Sequence, residues 1–251
     1  MTVLGVPYHL DEHLPELDLP LPADETITAE LDDGDVWARL AVLYRAVAGR
    51  LAEASSEAAG PGGPPVVLSG DCLTALGTMA GLQRAGVDAG IVWFDAHGDV
   101  QTPETTASGY IGGYPLRLLV GYRPELIAAR LGLRAVPERR VVLVDARDLD
   151  PPEAQYLAGA AIGRAQVTSL DPAALPDGPL YVHVDIDVID PADVPGLRFP
   201  APGGPAAADL TRAVSAILAT GRVAALGIAC TWRPGHGAAA RIGRYLEAAL
   251  T

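Results

Sequence analysis

The chain has 251 residues, of which 49% are hydrophobic and 20% are charged, and its formal net charge is -13 at pH 7. That length and hydrophobic content suffice for one sizeable α/β domain with a buried core. The acidic balance argues against nucleic acid or an anionic membrane as a partner, and it mildly favours the approach of a small cationic molecule.

Segment 1–5 carries neither a basic stretch nor a long apolar run, so we expect no signal peptide. We also expect no membrane helix, because no uninterrupted apolar stretch is long enough to cross a bilayer. The two cysteines, Cys72 and Cys230, lie far apart in the sequence. We therefore expect reduced thiols in a cytoplasmic protein.

Short β-rich apolar runs alternate along the chain with segments rich in Ala, Leu and Arg. The runs are continuous, which is typical of strands in a parallel sheet that is covered on both faces. In chain order the predicted elements are strand Val3–Val6, helix Val36–Ser55, strand Val66–Ser69, helix Leu73–Ala85, strand Ala89–Phe94, helix Tyr114–Val120, strand Val141–Asp145, strand Leu180–Val184, helix Ala207–Thr220, strand Val223–Ile228 and helix Ala238–Leu250.

This alternation predicts a three-layer α/β/α sandwich with a mostly parallel central sheet, formed by residues 1–251 as one domain. Asp35 is the predicted N-cap of the first helix. The Pro- and Gly-rich stretches 60–65 and 195–205 are expected to be loops within that domain. A functional site is expected at the carboxyl ends of the strands.

Acidic and imidazole side chains follow two of the predicted strands. Asp95, His97 and Asp99 come after one strand, and Asp185 and Asp187 come after another. Alternate residues of an extended chain share a face, so each set can converge if the backbone stays extended. Four carboxylates and one imidazole suit divalent cations, and bridging carboxylates can hold a pair of them. The pattern therefore predicts a hydrolase that uses a metal-bound hydroxide.

A simpler reading is that Asp-x-Asp pairs after strands only cap a helix or bind a loop amide. The two segments together favour the metal site, because several unpaired carboxylates at one rim would repel each other without a cation.

These residues carry a resemblance to the ureohydrolase superfamily, which includes arginase, agmatinase and formimidoylglutamase. The resemblance covers most of the chain. The motifs occur in the family's order. Segment 3–7 resembles the family's opening strand, 68–72 its G-G-D-H segment, 93–109 its D-A-H-x-D-x-N-T-P…S-G signature and 147–150 its R-D-x-D loop. Segments 184–191 and 202–204 together resemble its D-x-D-x-x-D-P…P-G-G block.

The resemblance implies an arginase-like fold and two divalent metal ions, with Mn most expected. It implies that Asp99 and Asp187 are catalytic, with Asp99 accepting a hydrogen bond from the nucleophile. The implied metal ligands are Asp95 and Asp185 as bridges, Cys72 and Asp99 for the first ion, and His97 and Asp187 for the second.

The resemblance also places the contacts to the α-amino and α-carboxylate groups of an amino-acid substrate. These contacts fall on Asp150 and Glu153, and on Gln101 and Ser108, where Gln101 replaces the usual Asn. For Asp150, a plain turn before Pro151 is the alternative. Tyr110 and Cys230 complete the set of candidate substrate-binding residues.

Other polar residues receive a structural interpretation. Asp190 precedes a proline and is expected to be a turn residue. His183 is either a hydrogen-bond partner behind the metal ligands or a satisfied core histidine. His9, His13 and His236 lie outside any motif and are expected on the surface.

The chain departs from the family at three positions. Cys72 stands in place of the first metal ligand, a His, and its softer thiolate opens Zn, Fe or Co as alternatives to Mn. Gly112 lies where arginase-like enzymes carry a proton-shuttling His. Near Cys230, the Glu that pairs with the guanidinium is missing.

These losses argue against ordinary L-arginine, because a guanidinium leaving group needs a general acid. The Cys in the metal segment and the G-Y-x-G-G loop resemble Nω-hydroxy-L-arginine hydrolases of secondary metabolism. The predicted function is therefore cleavage of a C–N bond in a hydroxyarginine- or arginine-like substrate, with release of hydroxyurea or urea. The alternatives are an agmatinase, another guanidino or formimino hydrolase, or a metal-binding pseudoenzyme with little catalysis. By resemblance, a homo-oligomer (a trimer or hexamer) is expected.

Overall fold

A central sheet of eight strands organises the computed structural model, which describes residues 1–31, 33–57 and 63–250. The strands lie in the order β4-β1-β5-β10-β9-β6-β7-β8, and every pairing between them is parallel. Their bounds are β1 Val3–Val6, β4 Glu25–Thr26, β5 Val66–Ser69, β6 Gly90–Asp95, β7 Val141–Asp145, β8 Gly163–Ala165, β9 Leu180–Asp185 and β10 Val223–Ala229. A separate antiparallel ribbon joins β2, Tyr8–His9, to β3, Glu12–His13.

Helices cover both faces of the sheet. Their bounds are α1 Val36–Glu57, α2 Ala75–Arg84, α3 Pro115–Leu119, α4 Ala128–Leu131, α5 Pro151–Gly159, α6 Ala207–Leu218 and α7 Ala238–Leu250. The helices α1 and α2 pack on one apolar core, and α6 and α7 pack on the other. Successive residues of β6 alternate between the two cores, with Trp93 in the first and Phe94 in the second. The predicted three-layer α/β/α sandwich is thereby confirmed.

Local sequence explains how the first helix pair forms. The Asp35 carboxylate accepts a hydrogen bond from the Ala38 amide at 2.7 Å, which confirms the predicted N-cap of α1. Helix α2 approaches α1 closely because Gly81 has no side chain: a Cβ there would lie 2.9 Å from the Ala48 carbonyl oxygen. Burial of the facing Leu and Val side chains then holds the two helices together.

The predicted strands agree with the structure to within a residue at each end. The differences lie elsewhere. The prediction lacks helices α4 and α5, the β2–β3 ribbon and the short edge strands β4 and β8, and helix 73–85 begins as a 3₁₀ turn at Cys72–Thr74. Part of the predicted loop 60–65, residues 60–62, lies outside the described residues. Within the described ranges, no helix is both long and apolar enough to cross a membrane.

Candidate metal centre

The candidate site lies at the carboxyl ends of four consecutive strands, β5, β10, β9 and β6. Phe94 of β6 pairs with Val184 of β9, so the next residues, Asp95 and Asp185, leave the sheet side by side. Cys72 follows β5, and Thr231 follows β10, in the same layer. Parallel strand register thus brings together segments that are far apart in the sequence.

The acidic residues do converge, but through turns rather than along an extended backbone. Asp95 is the last residue of β6, and Asp99 has a positive φ of 54°, so the chain folds back between them. Residues 186–188 form a 3₁₀ turn, in which the Asp187 amide donates to Asp185 Oδ1 at 2.9 Å. The positive φ at a non-glycine residue is the kind of strain that functional sites retain.

Two groups of potential metal ligands share one carboxylate. Within each group the ligand atoms all lie within 4.8 Å of one another. The first group is Cys72, Asp95 and Asp99, and the second is Asp95, His97 and Asp187. Asp185 adjoins the first group, because Cys72 Sγ donates to Asp185 Oδ2 at 2.9 Å. All six side chains predicted as ligands therefore meet at one place.

His97 lies between two carboxylates. Its Nδ1 is 3.3 Å from Asp95 Oδ1 and 3.3 Å from Asp187 Oδ2. Burial lowers the pKa of His97, but hydrogen bonds and charge from Asp187 and Asp95 outweigh burial and raise that pKa to about 12. A positive charge is therefore strongly favoured between these carboxylates. A divalent cation bound here could supply that charge while the imidazole stays neutral.

The remaining carboxylates also fit a cation. Asp99 Oδ2 is buried and has no hydrogen-bond partner among the described residues. Burial and the charges of Asp95 and Asp185 raise the pKa of Asp99 well above its usual range, and burial raises the pKa of Asp187 to about 6. Carboxylate, imidazole and thiol donors together suit divalent Mn, Fe, Co or Zn.

A cavity of about 150 Å³ opens above these residues, which is room for a small molecule. Cys72, His97, Asp99, Asp185 and Asp187 line it on the sheet side. Around the rest of the cavity lie Asp71, Gln101, Ser108, Tyr110, Gly112, Asp150, Glu153, Phe199 and Thr231, among others. Five of the six predicted substrate-binding residues therefore face the cavity.

The predicted contacts for the amino-acid end of a substrate are already tied to one another. Gln101 Nε2 donates to Asp150 Oδ2 at 2.8 Å, and Gln101 Oε1 accepts from Thr105 at 2.7 Å. The Glu153 carboxylate accepts from the Val100 and Asp150 amides, both at 3.2 Å, so it supports the start of α5 and the loop before Gln101. These bonds fix the polar groups in position before a ligand arrives.

Cys230 does not line the cavity, which corrects the expectation for that position. Its side chain is fully buried in the core beneath the site. Thr231 faces the cavity instead, and its Oγ1 donates to Asp185 Oδ1 at 2.5 Å. Side chains alternate between the two faces of an extended segment, so Cys230 and Thr231, as neighbours, point to opposite faces.

The structure decides between the two alternatives for His183 and bears on the expectation for Asp190. His183 is a core histidine. Its ring stacks on the Trp93 ring with 3.7 Å between ring centroids, and its Nδ1 shares a hydrogen bond with Tyr181 Oη. Burial lowers the pKa of His183 to about 3. Trp93, not His183, donates to Asp95 Oδ2, at 3.1 Å. Asp190 accepts from the Ala192 and Gly203 amides and is a turn residue, as predicted.

His13 and His236 are exposed as expected, but the expectation for His9 was wrong. His9 is half-buried, and its Nε2 lies 3.1 Å from Tyr110 Oη at the cavity. Sequence reasoning also passed over Asp71, a buried carboxylate that lines the cavity and accepts from the Leu10 amide at 2.7 Å. Its position beside Cys72 was a usable signal, whereas nothing local in the sequence marks His9.

Comparison with known proteins identifies the family of the chain. The sequence model of the Arginase family matches residues 12–231, so the chain belongs to the arginase family. It is 34% identical to an arginase of Bacillus subtilis (strain 168) over 154 residues, which are 56% of this chain and 52% of that protein. It is 34% identical to an arginase of Bacillus caldovelox over 169 residues, 62% of this chain and 56% of that protein. The chain thus spans about half the length of the curated relatives it matches.

Solved structures share the fold. The crystal structure of an arginase from Bacillus cereus superposes with a TM-score of 0.80 at 22% identity, covering 99% of this chain and 97% of that one. A formimidoylglutamase from Bacillus subtilis superposes with a TM-score of 0.69 at 18% identity, covering 99% and 85%. At these identities the likeness concerns the fold, which is the arginase-type α/β sandwich.

Proposed function

We propose that residues 1–251 form one arginase-like metallohydrolase domain that cleaves a C–N bond of a guanidine-type substrate and releases urea or hydroxyurea. The observation that carries this proposal is the pair of ligand groups that share Asp95 beneath a small-molecule cavity. A pair of cations joined by a carboxylate is the arrangement that two-metal hydrolases use.

Six residues would hold two divalent ions, with Mn most expected and Zn, Fe or Co made possible by the Cys72 thiolate. When bound, the ions would acidify a water molecule and act as Lewis acids. The ligands would be Cys72 and Asp99 for one ion, His97 and Asp187 for the other, and Asp95 and Asp185 between them.

The protein's own groups would orient the reactants. Asp99 Oδ2, buried and without a protein partner, would accept a hydrogen bond from the attacking water. Gln101, Ser108 and Asp150 would hold the amino-acid end of the substrate at the opposite side of the cavity. The carboxylates around the cavity favour a cationic substrate.

Nω-Hydroxy-L-arginine is the substrate that the departures from the family favour. Gly112 offers no imidazole to a leaving nitrogen, and Thr231, which faces the cavity near Cys230, offers no carboxylate to a guanidinium. An N-hydroxyguanidine has a lower pKa than a guanidine and depends less on both groups. The two free cysteines support a cytoplasmic location. The resemblance to the family supports a homo-oligomer as the working form.

A substrate panel tests the proposal. The protein is loaded with Mn²⁺ or Zn²⁺, and release of urea or hydroxyurea is measured from arginine, hydroxyarginine, agmatine and guanidinobutyrate, with formamide release from formiminoglutamate as a further arm. We expect the highest kcat/KM with hydroxyarginine. A protein that holds metal but turns over none of these compounds would be a metal-binding pseudoenzyme, and the proposal would be wrong.

A further inference from the structure

The Tyr110 phenol occupies the space above Gly112. A Cβ built on Gly112 would overlap the ring carbons and the hydroxyl of Tyr110. The backbone at Gly112 does not have a positive φ, so backbone conformation does not demand glycine there. The Tyr110 phenol, which lines the cavity, therefore fills the space that a side chain at position 112 would occupy.

His9 contacts this phenol and is not one of the residues that line the cavity. Its Nε2 lies 3.1 Å from Tyr110 Oη, and its ring stacks on the Tyr110 ring with centroids 5.9 Å apart. Its Nδ1 lies 3.0 Å from the Gly70 carbonyl oxygen. A carbonyl only accepts, so Nδ1 carries a hydrogen, and Nε2 either accepts from Tyr110 when neutral or donates to it when protonated.

The surroundings suit a proton that moves between these two groups. Asp71, a buried cavity-lining residue that accepts from the amide of Leu10, the residue after His9, leaves Oδ1 without a hydrogen-bond partner among the described residues. His9 is half-buried, so it is open to exchange with solvent. The Phe199 ring also lines the cavity and packs against the Tyr110 ring, with 5.2 Å between ring centroids.

We propose that Tyr110 and His9 form a proton relay that serves the leaving nitrogen of the substrate, in place of the imidazole that position 112 lacks. This rests on the proposed function. As the C–N bond breaks, the Tyr110 O–H proton passes to the leaving nitrogen, and the His9 Nε2–H proton passes to Tyr110 Oη. Water adds to the carbon of the neutral N-hydroxyguanidine; one of its protons goes to the imino nitrogen and the other to solvent, which leaves the carbonyl of hydroxyurea. Solvent returns one proton to His9, so the count is balanced.

Paired substitutions test the relay on the Mn²⁺-loaded protein with hydroxyarginine. Tyr110→Phe keeps the ring but removes the proton, and we expect kcat to fall roughly 100-fold. His9→Gln keeps a polar group within reach of Gly70 and Tyr110 but cannot relay a proton, so we expect a loss of about tenfold or more in kcat, with KM within about threefold. The matched control is His13→Gln, an exposed histidine on β3, which should leave kcat unchanged.

A rescue variant separates the relay from general damage. In Tyr110→Ala/Gly112→His the space is free for an imidazole at 112, and we expect kcat to recover relative to Tyr110→Ala. Adding His9→Gln to that rescued variant should then have no further effect. Unchanged kcat in both Tyr110→Phe and His9→Gln, or an effect confined to KM, would overturn the relay.

Two measurements do not depend on turnover. Elemental analysis should find the wild-type metal content in every relay variant. In protein labelled with ¹⁵N-histidine, hydroxyarginine should shift the His9 Nε2 resonance in the wild type but not in Tyr110→Phe. If the wild type hydrolyses no substrate, the proposed function fails, and the relay is then decided by this resonance: no shift on ligand addition overturns it.

Discussion

Cys72 Sγ lies 2.9 Å from Asp185 Oδ2, although 113 residues separate the two along the chain. The contact is buried, and burial together with the charges of Asp185, Asp99 and Asp95 raises the pKa of the Cys72 thiol well above its usual range. A thiolate at this position therefore requires a compensating cation. The contact places a soft sulfur ligand among hard oxygens, which bears directly on metal choice.

Cys72→His should shift metal preference toward Mn²⁺ relative to Zn²⁺, because it replaces a soft ligand with a borderline one. Competitive binding of the two ions, measured before and after substitution, checks this. Cys230→Ser is the matched control, since Cys230 is equally buried but lies outside the cavity. If Cys72 is only a small core residue, the change would instead cost roughly 1–3 kcal/mol of stability by overpacking and leave the preference intact.

Asp185→Ala should reduce the metal content of a reconstituted sample from two ions per chain to one or none. The variant removes the carboxylate that joins Cys72 to the second strand end. Asp190→Ala is the control: it removes two turn hydrogen bonds outside the cavity and should keep both ions. Elemental analysis showing one ion or none in the wild type, unchanged in Asp185→Ala, would contradict the two-ion centre.

Removal of metal by a chelator should lower the melting temperature by roughly 5–10 °C, because ligands that bind only the folded state stabilise it by mass action. The physical reason is the cluster of buried carboxylates, whose mutual repulsion a cation relieves. Calorimetry with and without re-added Mn²⁺ measures the shift. Equal melting temperatures would show that the cluster is compensated by protons alone.

Thr231→Val should weaken metal retention roughly 10–100-fold, the usual effect of removing a hydrogen bond that orients a metal ligand. Thr231 Oγ1 donates to Asp185 Oδ1, and valine keeps the shape of the side chain without the donor. Thr211→Val on α6 is the control, because Thr211 donates only to a helix carbonyl. Dissociation constants for Mn²⁺ that agree between Thr231→Val and wild type would mean that the other partners of Asp185, the Asp187 amide and Cys72, are enough to orient it.

Hydroxyarginine should be hydrolysed at least about tenfold better than arginine in kcat/KM, roughly 1.4 kcal/mol of transition-state stabilisation. The reason is the lack of an imidazole at position 112 and of a carboxylate side chain at position 231. Steady-state kinetics on the unmodified protein are the cleanest measurement. Gly112→His alone is uninformative, because its side chain would collide with Tyr110. Arginine or agmatine turned over as fast as hydroxyarginine would show that the relay or another group fully replaces the missing ones.

Six of the eight strands of the sheet, and the acidic residues of the centre, could be predicted from the sequence. Continuous apolar runs such as Ile91–Phe94 predict strands that are buried on both faces, because adjacent residues of a strand point to opposite faces of the sheet. Asp95 and Asp185 directly follow such runs, and carboxyl ends of parallel strands meet at one edge. Helix α5 was not predicted, although Asp150, Pro151 and Glu153 are residues that commonly begin a helix. Asp150 and Glu153 were interpreted only as turn residues or substrate contacts.

Tertiary structure decided what depends on distant parts of the chain. Thr231 rather than Cys230 faces the cavity because strand register and the end of β10 set which side chain points up. His9 reaches Tyr110 across 101 residues because the β2–β3 ribbon folds over the end of β5. Local periodicity encodes elements and their faces, whereas contacts between elements depend on packing that no single stretch of sequence contains.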